Sequence, residues 1–228
     1  MARARLSLGS LMWRWGLGMA LVTWRYVWSI TPLHRVQARD SRPRRPPAVP
    51  AGVSTSGLQG SDTGSGPLFH RLFRAEIAGA RHDAAALVDA LSSDFERFVP
   101  REVVRVHQAD SDGVAAVGDD LVVDMPGPWN GPVRVLVAEP GRLRLGTLEG
   151  HLEAGQIEFR ATDGDPLVFE IEVWARAADW KVRALYTHLR LAKEIQLNMW
   201  VRVCGAAARL AGGRLVDGVE IRTTTTPP

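Results

Sequence analysis

Alternating apolar and polar residues predict three neighbouring strands in the second half of the chain, at 142–148, 156–162 and 167–175. In the last of these, Phe169 and Ile171 flank Glu170. A period of two puts the apolar side chains on one face of a sheet and the charged ones on the other. Turn residues separate the segments, so we expect an antiparallel meander with one dry face and one wet face.

Earlier and later segments complete the set of predicted elements. Four further strands are expected at 68–78, 103–106, 121–125 and 133–137. Apolar residues at helical spacing begin at His82 or Asp83 and stop at Pro100, which predicts a helix. A second helical pattern follows Trp180 and continues to about Gly212. Its apolar stripe consists of Leu185, Leu189, Ala192, Met199, Val203, Ala206 and Leu210.

The order of these elements is a strand, a helix, a run of strands and a long final helix. Because the dry face of a single sheet must be covered, we expect the final helix to lie on it. The sequence therefore predicts an α+β domain over 67–228 with the helix-grip arrangement, a curved antiparallel sheet wrapped around a long C-terminal helix. A short disordered tail is expected after that helix.

The first 39 residues have another pattern. Residues 6–30 are apolar apart from Arg14, Arg25 and a few small polar residues, and they include Trp15, Trp24 and Trp28. Trp at the depth of the headgroups and Arg near the phosphates are typical of a helix at a membrane. We expect a membrane-associated helix that either lies in the interface or spans the bilayer. A cleaved signal peptide and an ordinary soluble helix are the alternatives.

The charge distribution bears on location and partners. Residues 1–50 contain nine Arg and one acidic residue, so the rest of the chain is acidic although the pI is near 9.6. A basic body suited to nucleic acid is therefore not expected. The basic residues after the predicted helix outnumber those before it, which favours a cytoplasmic domain. Residues 40–66 are rich in Pro, Gly and Ser and predict a flexible linker. The single cysteine, Cys204, excludes an internal disulfide and is expected to be buried.

The most distinctive stretch begins with Gly146-Thr147-Leu148-Glu149-Gly150-His151, followed by Gly155 and Phe159. Together with the strand over 168–177 and the helix that holds Gln196, it resembles a bacterial family of uncharacterised domains in the START-like, birch-pollen-allergen-like superfamily. The resemblance covers roughly residues 68–210. It implies a cavity between the sheet and the final helix that holds an apolar small molecule or lipid. Members of the superfamily include lipid carriers, hormone receptors and aromatase/cyclase enzymes.

This chain departs from the family pattern at one point, since Gly155 is followed by Gln156 where Glu is expected. His151 lies near Glu149 and Glu153, which makes it a candidate general base whose tautomer a carboxylate would fix. Contact with a ligand is an alternative, and so is a structural role in which His151 bonds the backbone and locks the turn. One His among acids is a weak metal site, so no metal and no cofactor are expected.

Ten residues are candidates for contact with the ligand: Thr147, His151, Gln156, Phe159, Phe169, Ile171, His188, Gln196, Trp200 and Trp129. A solid core is the alternative for the three apolar members, and a bond to a strand carbonyl is the alternative for Gln196. Trp129 belongs to a Pro-rich loop that either forms a lip over the cavity or folds onto the sheet.

Three functions remain open from the sequence. The first is a membrane-tethered domain that binds an apolar small molecule or lipid without covalent chemistry. The second is a cyclase- or hydrolase-like enzyme that uses His151 with Glu149 or Glu153. The third is a protein-interaction module beside a membrane partner, with Trp129 in the contact. The sequence contains no nucleophile elbow, phosphate-binding glycine loop or His-Glu-x-x-His element.

Overall fold

The computed structural model describes residues 33–39, 45–98, 105–108, 115–124, 130–179 and 190–227. In these ranges the chain forms nine strands and two α-helices. They are β1 (Leu33–Arg39), β2 (Ser65–Ala78), α1 (Ala84–Ser93), β3 (Arg105–Gln108), β4 (Asp120–Asp124), β5 (Asn130–Glu139), β6 (Arg142–Thr147), β7 (Glu153–Thr162), β8 (Leu167–Ala177), α2 (Arg190–Leu210) and β9 (Arg214–Thr226).

All the strands belong to one sheet in the order β1-β9-β2-β8-β7-β6-β5-β4-β3. Each neighbouring pair is antiparallel except β1 and β9, which are parallel. Strands β3 to β8 follow one another as a meander, which confirms the antiparallel sheet predicted from the alternation. The connections from β1 to β2, from β2 to β3 and from β8 to β9 join strands that are not neighbours in the sheet.

Both helices contribute to one core on the same side of the sheet, which we call the inner face. Phe73, Phe159 and Phe169 project from three strands of this face and are fully buried. Helix α1 begins where Asp83 accepts a hydrogen bond from the Ala86 backbone N–H at 2.8 Å, the N-cap expected from the sequence. A second carboxylate, that of Asp163, accepts from the Ala84 N–H at 2.7 Å and ties the start of α1 to the turn between β7 and β8.

Helix α2 covers the inner face beside β9, β2 and β8. Its buried surface is wider than the predicted stripe, because Val201, Cys204 and Ala207 are buried as well as Val203 and Ala206. The thiol of Cys204 is fully buried, and burial raises its pKa, so its predicted role as a small apolar residue is confirmed. The predicted start of this helix after Trp180 lies outside the described residues.

Strand β9 differs from the expected disordered tail. Residues 214–226 insert between β1 and β2, with Val219 and Ile221 buried in the core. The segment ends in four consecutive Thr residues, and β-branched side chains favour extended structure. Pairing with β2 on one side supplies the backbone hydrogen bonds that the isolated segment lacks.

Strand β1 differs from the prediction of a membrane-associated helix over 1–39. Residues 33–39 pair with β9 in parallel, Leu33 beside Val219 and Arg39 beside Thr225. A free edge of β9 offers unpaired backbone groups, and this tertiary contact decides the local structure. Arg14, Trp15, Trp24, Arg25 and Trp28 lie outside the described residues. Among the residues that the structure describes, no helix combines the length and apolar character needed to cross a membrane.

Candidate functional site

The Gly146–His151 motif lies at the end of β6 and in the turn that leads to β7. Gly155 follows in β7, where a Cβ would stand 1.9 Å from the backbone oxygen of Trp174. Gly146 sits under two leucine side chains, and a Cβ there would lie 3.0 Å from Leu136 Cδ1 and 3.1 Å from Leu58 Cδ2. Close packing against backbone therefore requires glycine at 155, whereas Gly146 is in tight contact with flexible leucine side chains.

Thr147 is a structural residue in this arrangement. Its hydroxyl oxygen accepts from the Gly155 N–H at 2.9 Å and donates to the Gln59 carbonyl at 2.9 Å. The side chain is 9% exposed and joins β6 to β7 and to a segment that precedes β2. It does not reach the inner-face cavity described below.

His151 fixes the conformation of the turn. Its Nδ1 accepts a hydrogen bond from the Glu153 backbone N–H at 2.9 Å. The same Nδ1 lies 3.1 Å from the Glu153 carbonyl oxygen, to which it donates when it carries a proton. Burial lowers the pKa of His151, against the opposing charge and backbone hydrogen bond of Glu153. Both contacts of Nδ1 are with the backbone of Glu153, which is the geometry of the structural alternative. Glu149 is exposed beside it.

Residues 46–59, which we call the strap, lie against the other side of the sheet, the outer face. The sequence predicted a flexible linker here, and the structure differs. The backbone of Gln59 pairs with β6, since its N–H donates to the Thr147 carbonyl at 2.7 Å. Arg134 in β5 donates to the Ser54 and Ser56 carbonyls at 3.0 and 2.7 Å. The Pro, Gly and Ser content of this segment indicated flexibility, because amino-acid composition carries no information about contacts with distant strands.

Gln156 projects from the outer face, away from both helices. Its Nε2 donates to the Pro47 carbonyl at 3.2 Å, so it contacts the strap rather than the space under α2. The structure therefore places this ligand candidate on the outer face, against the strap, and not in the space between the sheet and α2. The reason is strand parity, because Ile157 and Phe159 of the same strand face inward.

The predicted wet face is partly buried. Glu158 in β7 is 3% exposed and Arg144 in β6 is 4% exposed. Three guanidinium groups surround the Glu158 carboxylate, from Arg142 at 3.0 Å, Arg160 at 3.3 Å and Arg144 at 3.5 Å. The hydrogen bond to Glu158 raises the pKa of Arg142, whereas burial lowers the pKa of Arg144.

The apolar ligand candidates lie in the core. Phe159, Phe169 and Ile171 are fully buried on the inner face. The Trp200 ring of α2 stands edge-on to Phe159 with 5.7 Å between ring centroids, and its buried Nε1 has no hydrogen-bond partner. Phe95, in the short helical turn after α1, packs edge-on against the other side of Phe159 at 5.7 Å. The side chain of Gln196 and all of His188 and Trp129 lie outside what the structure describes.

A cavity of about 190 Å³ opens next to this aromatic group, between the end of α1 and strands β4 and β6. Its apolar wall is formed by Leu91, Phe95, Ala115, Leu121, Val123, Leu143 and Leu145, and its polar edge by Ser92, Ser93 and Asp94. None of the described ligand candidates lines it. The alternation of β6 predicted that Leu143 and Leu145 share one face, and both line the cavity. Where α1 ends, and hence where the core is left open, was not visible in that pattern.

Metal binding has no support in the part of the chain that the structure describes, where no three His, Cys, Asp or Glu side chains are grouped to hold an ion.

The fold and this cavity define an α+β domain with helix-grip-like architecture, a mostly antiparallel sheet with a long helix on its inner face. The chain belongs to a family of domains of unknown function, DUF1990, whose model matches residues 67–220. The expected membership of an uncharacterised family is confirmed at this level. The strap and β1 precede the matched range. No curated protein matches the chain.

Three solved structures illustrate the similarity in fold. Norcoclaurine synthase from Thalictrum flavum has 14% identity and a TM-score of 0.46, covering 72% of this chain and 97% of that one. The di-domain ARO/CYC StfQ from the steffimycin biosynthetic pathway has 14% identity and a TM-score of 0.44, covering 64% and 52%. Major latex-like protein 151 from Panax ginseng has 11% identity and a TM-score of 0.38, covering 57% and 94%. At these levels none of them says what this chain binds.

Proposed function

We propose that this domain binds an apolar small molecule or the acyl part of a lipid in the inner-face cavity, without covalent chemistry. The observation that carries the proposal is the apolar wall at the end of α1, where side chains of β4 and β6 leave about 190 Å³ unfilled. The pocket is partly open at the edge formed by Ser92, Ser93 and Asp94, so a ligand can reach its apolar wall. An unfilled apolar space of this kind is therefore a candidate ligand site.

The size of the cavity limits the ligand. Apolar cavities of about 150 Å³ lined by Leu, Ile and Phe stay dry and bind benzene. The cavity here is of that order, which suits one or two fused rings or a short stretch of acyl chain. Ser92, Ser93 and Asp94 lie on one edge, so a polar end of the ligand would be directed toward them.

Filling the cavity is expected to abolish this binding. Val123 lines the cavity from β4, and Val123→Phe places a ring in the space that the ligand needs. We expect the dissociation constant for naphthalene, measured by fluorescence titration, to rise at least about tenfold, a loss of about 1.4 kcal/mol. Val216→Phe is the matched control, because Val216 is 39% exposed in β9, outside the cavity. Equal binding by both variants, or no binding by the unaltered chain, would contradict the proposal.

We propose further that residues 1–32 hold this domain at a membrane, on the cytoplasmic side. The support is the run of Trp and Arg in the leader, together with the direct junction between that leader and the sheet. Strand β1 begins at Leu33, so few residues would separate a helix over 6–30 from the edge of the domain. Anionic lipid would add attraction for the Arg-rich segment.

Flotation of the full chain with vesicles tests the tether. We expect the chain to rise with vesicles that contain phosphatidylglycerol, and the replacement of Trp15, Trp24 and Trp28 by Ala to leave most of it at the bottom of the gradient. Val216→Ala is the control, since it changes an exposed apolar residue of the domain. A full chain that does not float at low salt would rule out the tether while leaving the cavity proposal intact.

A further inference from the structure

We propose that the outer face of β5–β7 is a recognition surface for an extended peptide, and that the Gly146–His151 motif serves it. Its occupant in this structure is the strap, residues 46–59 of the same chain. The motif then has a function separate from the cavity, which is to hold the N-terminal segment on the domain. Three groups of contacts support this assignment.

Three outer-face side chains donate to backbone carbonyls of the strap. Gln156 donates to Pro47 at 3.2 Å and Arg144 Nη1 to Ala48 at 3.4 Å, while Arg134 donates to Ser54 and Ser56. The Arg134 guanidinium is held in place by Asp120, whose two oxygens lie at 2.6 and 2.8 Å. Such bonds recognise the position of the main chain and not the identity of its side chains, as in the binding of peptides by sheet proteins.

The end of the strap adds backbone bonds to β6 and the following turn. The Gln59 N–H donates to the Thr147 carbonyl at 2.7 Å, and the Glu149 N–H donates to the Gly57 carbonyl at 2.9 Å. Leu58 and Leu148 form an isolated antiparallel bridge. Main-chain pairing of this kind provides affinity, and the side chains between the bonds provide specificity.

Two side chains of the strap, those of Leu58 and Gln59, make specific contacts with the motif. Leu58 approaches so close to Gly146 that a Cβ there would stand 3.1 Å from its Cδ2. The Gln59 amide nitrogen donates to the carbonyls of His151 and Glu153, each at 3.0 Å. His151 fixes the turn that carries these two carbonyls, which gives the imidazole a role in positioning. The surface therefore recognises a Leu-Gln pair at the end of an extended segment.

Binding of the strap buries a polar atom of the sheet that gains no hydrogen bond in return. Among the described residues, Gln156 Oε1 is buried without a hydrogen-bond partner, whereas Arg144 Nε lies 3.5 Å from the Glu158 carboxylate. A buried polar atom without a partner costs free energy that water would otherwise offset. The strap is therefore bound by many contacts and also opposed by desolvation, which favours a segment that can leave the surface while the sheet stays folded.

Protection of the strap in the full chain tests this inference. We expect Gln59→Ala to raise the rate of proteolysis within 46–58 at least about tenfold, with amide exchange at 57–59 rising in parallel. Ser56→Ala is the matched control in the same segment, because Ser56 reaches the sheet through its carbonyl oxygen, and we expect a change of less than about twofold. Exchange in β8 must stay unchanged, which separates release of the strap from unfolding. Equal rates for both variants would overturn the proposal.

A peptide added in trans tests whether the surface is a recognition site. The Gln59→Ala full chain is mixed with synthetic peptide 46–60 of the natural sequence or with the same peptide carrying Gln59→Ala. A tethered segment has an effective concentration in the millimolar range, so the peptide is used at up to about 5 mM. We expect the natural peptide alone to bind and to slow amide exchange at Thr147 and Glu149. No binding of either peptide, or equal binding of both, would overturn the assignment of the Leu-Gln pair.

Discussion

Replacing Gly155 by Ala is expected to destabilise the domain by more than about 3 kcal/mol, or to prevent it from folding. The added Cβ would meet the Trp174 carbonyl oxygen at 1.9 Å, and two further backbone atoms of β8 within 3.0 Å. Backbone atoms of a central strand cannot move aside without breaking the β7–β8 ladder. In thermal unfolding followed by circular dichroism, a loss of about 3 kcal/mol lowers Tm by roughly 6–12 °C for a chain of this size.

A second Gly→Ala change provides the control. Gly205 lies within α2, and a Cβ added there would have Arg209 Nη1 as its nearest neighbour at 3.7 Å, an ordinary contact. Gly costs a helix about 0.5–1 kcal/mol relative to Ala, so Gly205→Ala is expected to raise Tm. If Gly155→Ala left Tm unchanged or raised it, the close approach of β7 to β8 at Gly155 would be wrong.

Replacing Glu158 by Gln is expected to cost about 3–5 kcal/mol, because it leaves the buried guanidinium group of Arg144 without its counter-charge. The carboxylate is 3% exposed and the Arg144 side chain 5% exposed, so water cannot take over this role without opening the outer face. The amide has the same shape, and the loss therefore reports on charge. The measurement is the free energy of unfolding from urea titration.

The control for this change is Glu76→Gln. Glu76 lies 3.0 Å from Arg74, but the two side chains are 44% and 36% exposed. Exposed ion pairs contribute about 0–1 kcal/mol because water and salt screen them, so a small change is expected. A loss at Glu158 no larger than that at Glu76 would show that the cluster around Glu158 is hydrated.

In the candidate site, alternation along a strand predicted the face on which a side chain lies, but not the group that the side chain contacts. Parity along β7 put Phe159 inward and Glu158 outward, and both positions are confirmed. The same parity puts Gln156 outward, yet its position in a conspicuous motif favoured a ligand role. For His151, the structural alternative matches the geometry because a backbone N–H two residues along occupies Nδ1.

Contacts between distant segments account for what the sequence did not reveal. The strap contacts residues about 80 to 110 positions away, and its Pro, Gly and Ser content carries no sign of them. The cavity residues Leu121 and Leu143 look like any other core positions. In the structure they line a pocket at the end of α1, whose last residue is Ser93.

The order of side chains along the chain by itself determined the antiparallel meander, the face on which each strand residue lies, the capped start of α1 and the burial of Cys204. These depend on periodicity and local bonding, which a short window of sequence contains. Only the tertiary structure decided that 33–39 and 214–226 are strands, that 46–59 lies on the outer face, and where the core stays open. Those features depend on which backbone edges and surfaces meet in space, and no local pattern records that.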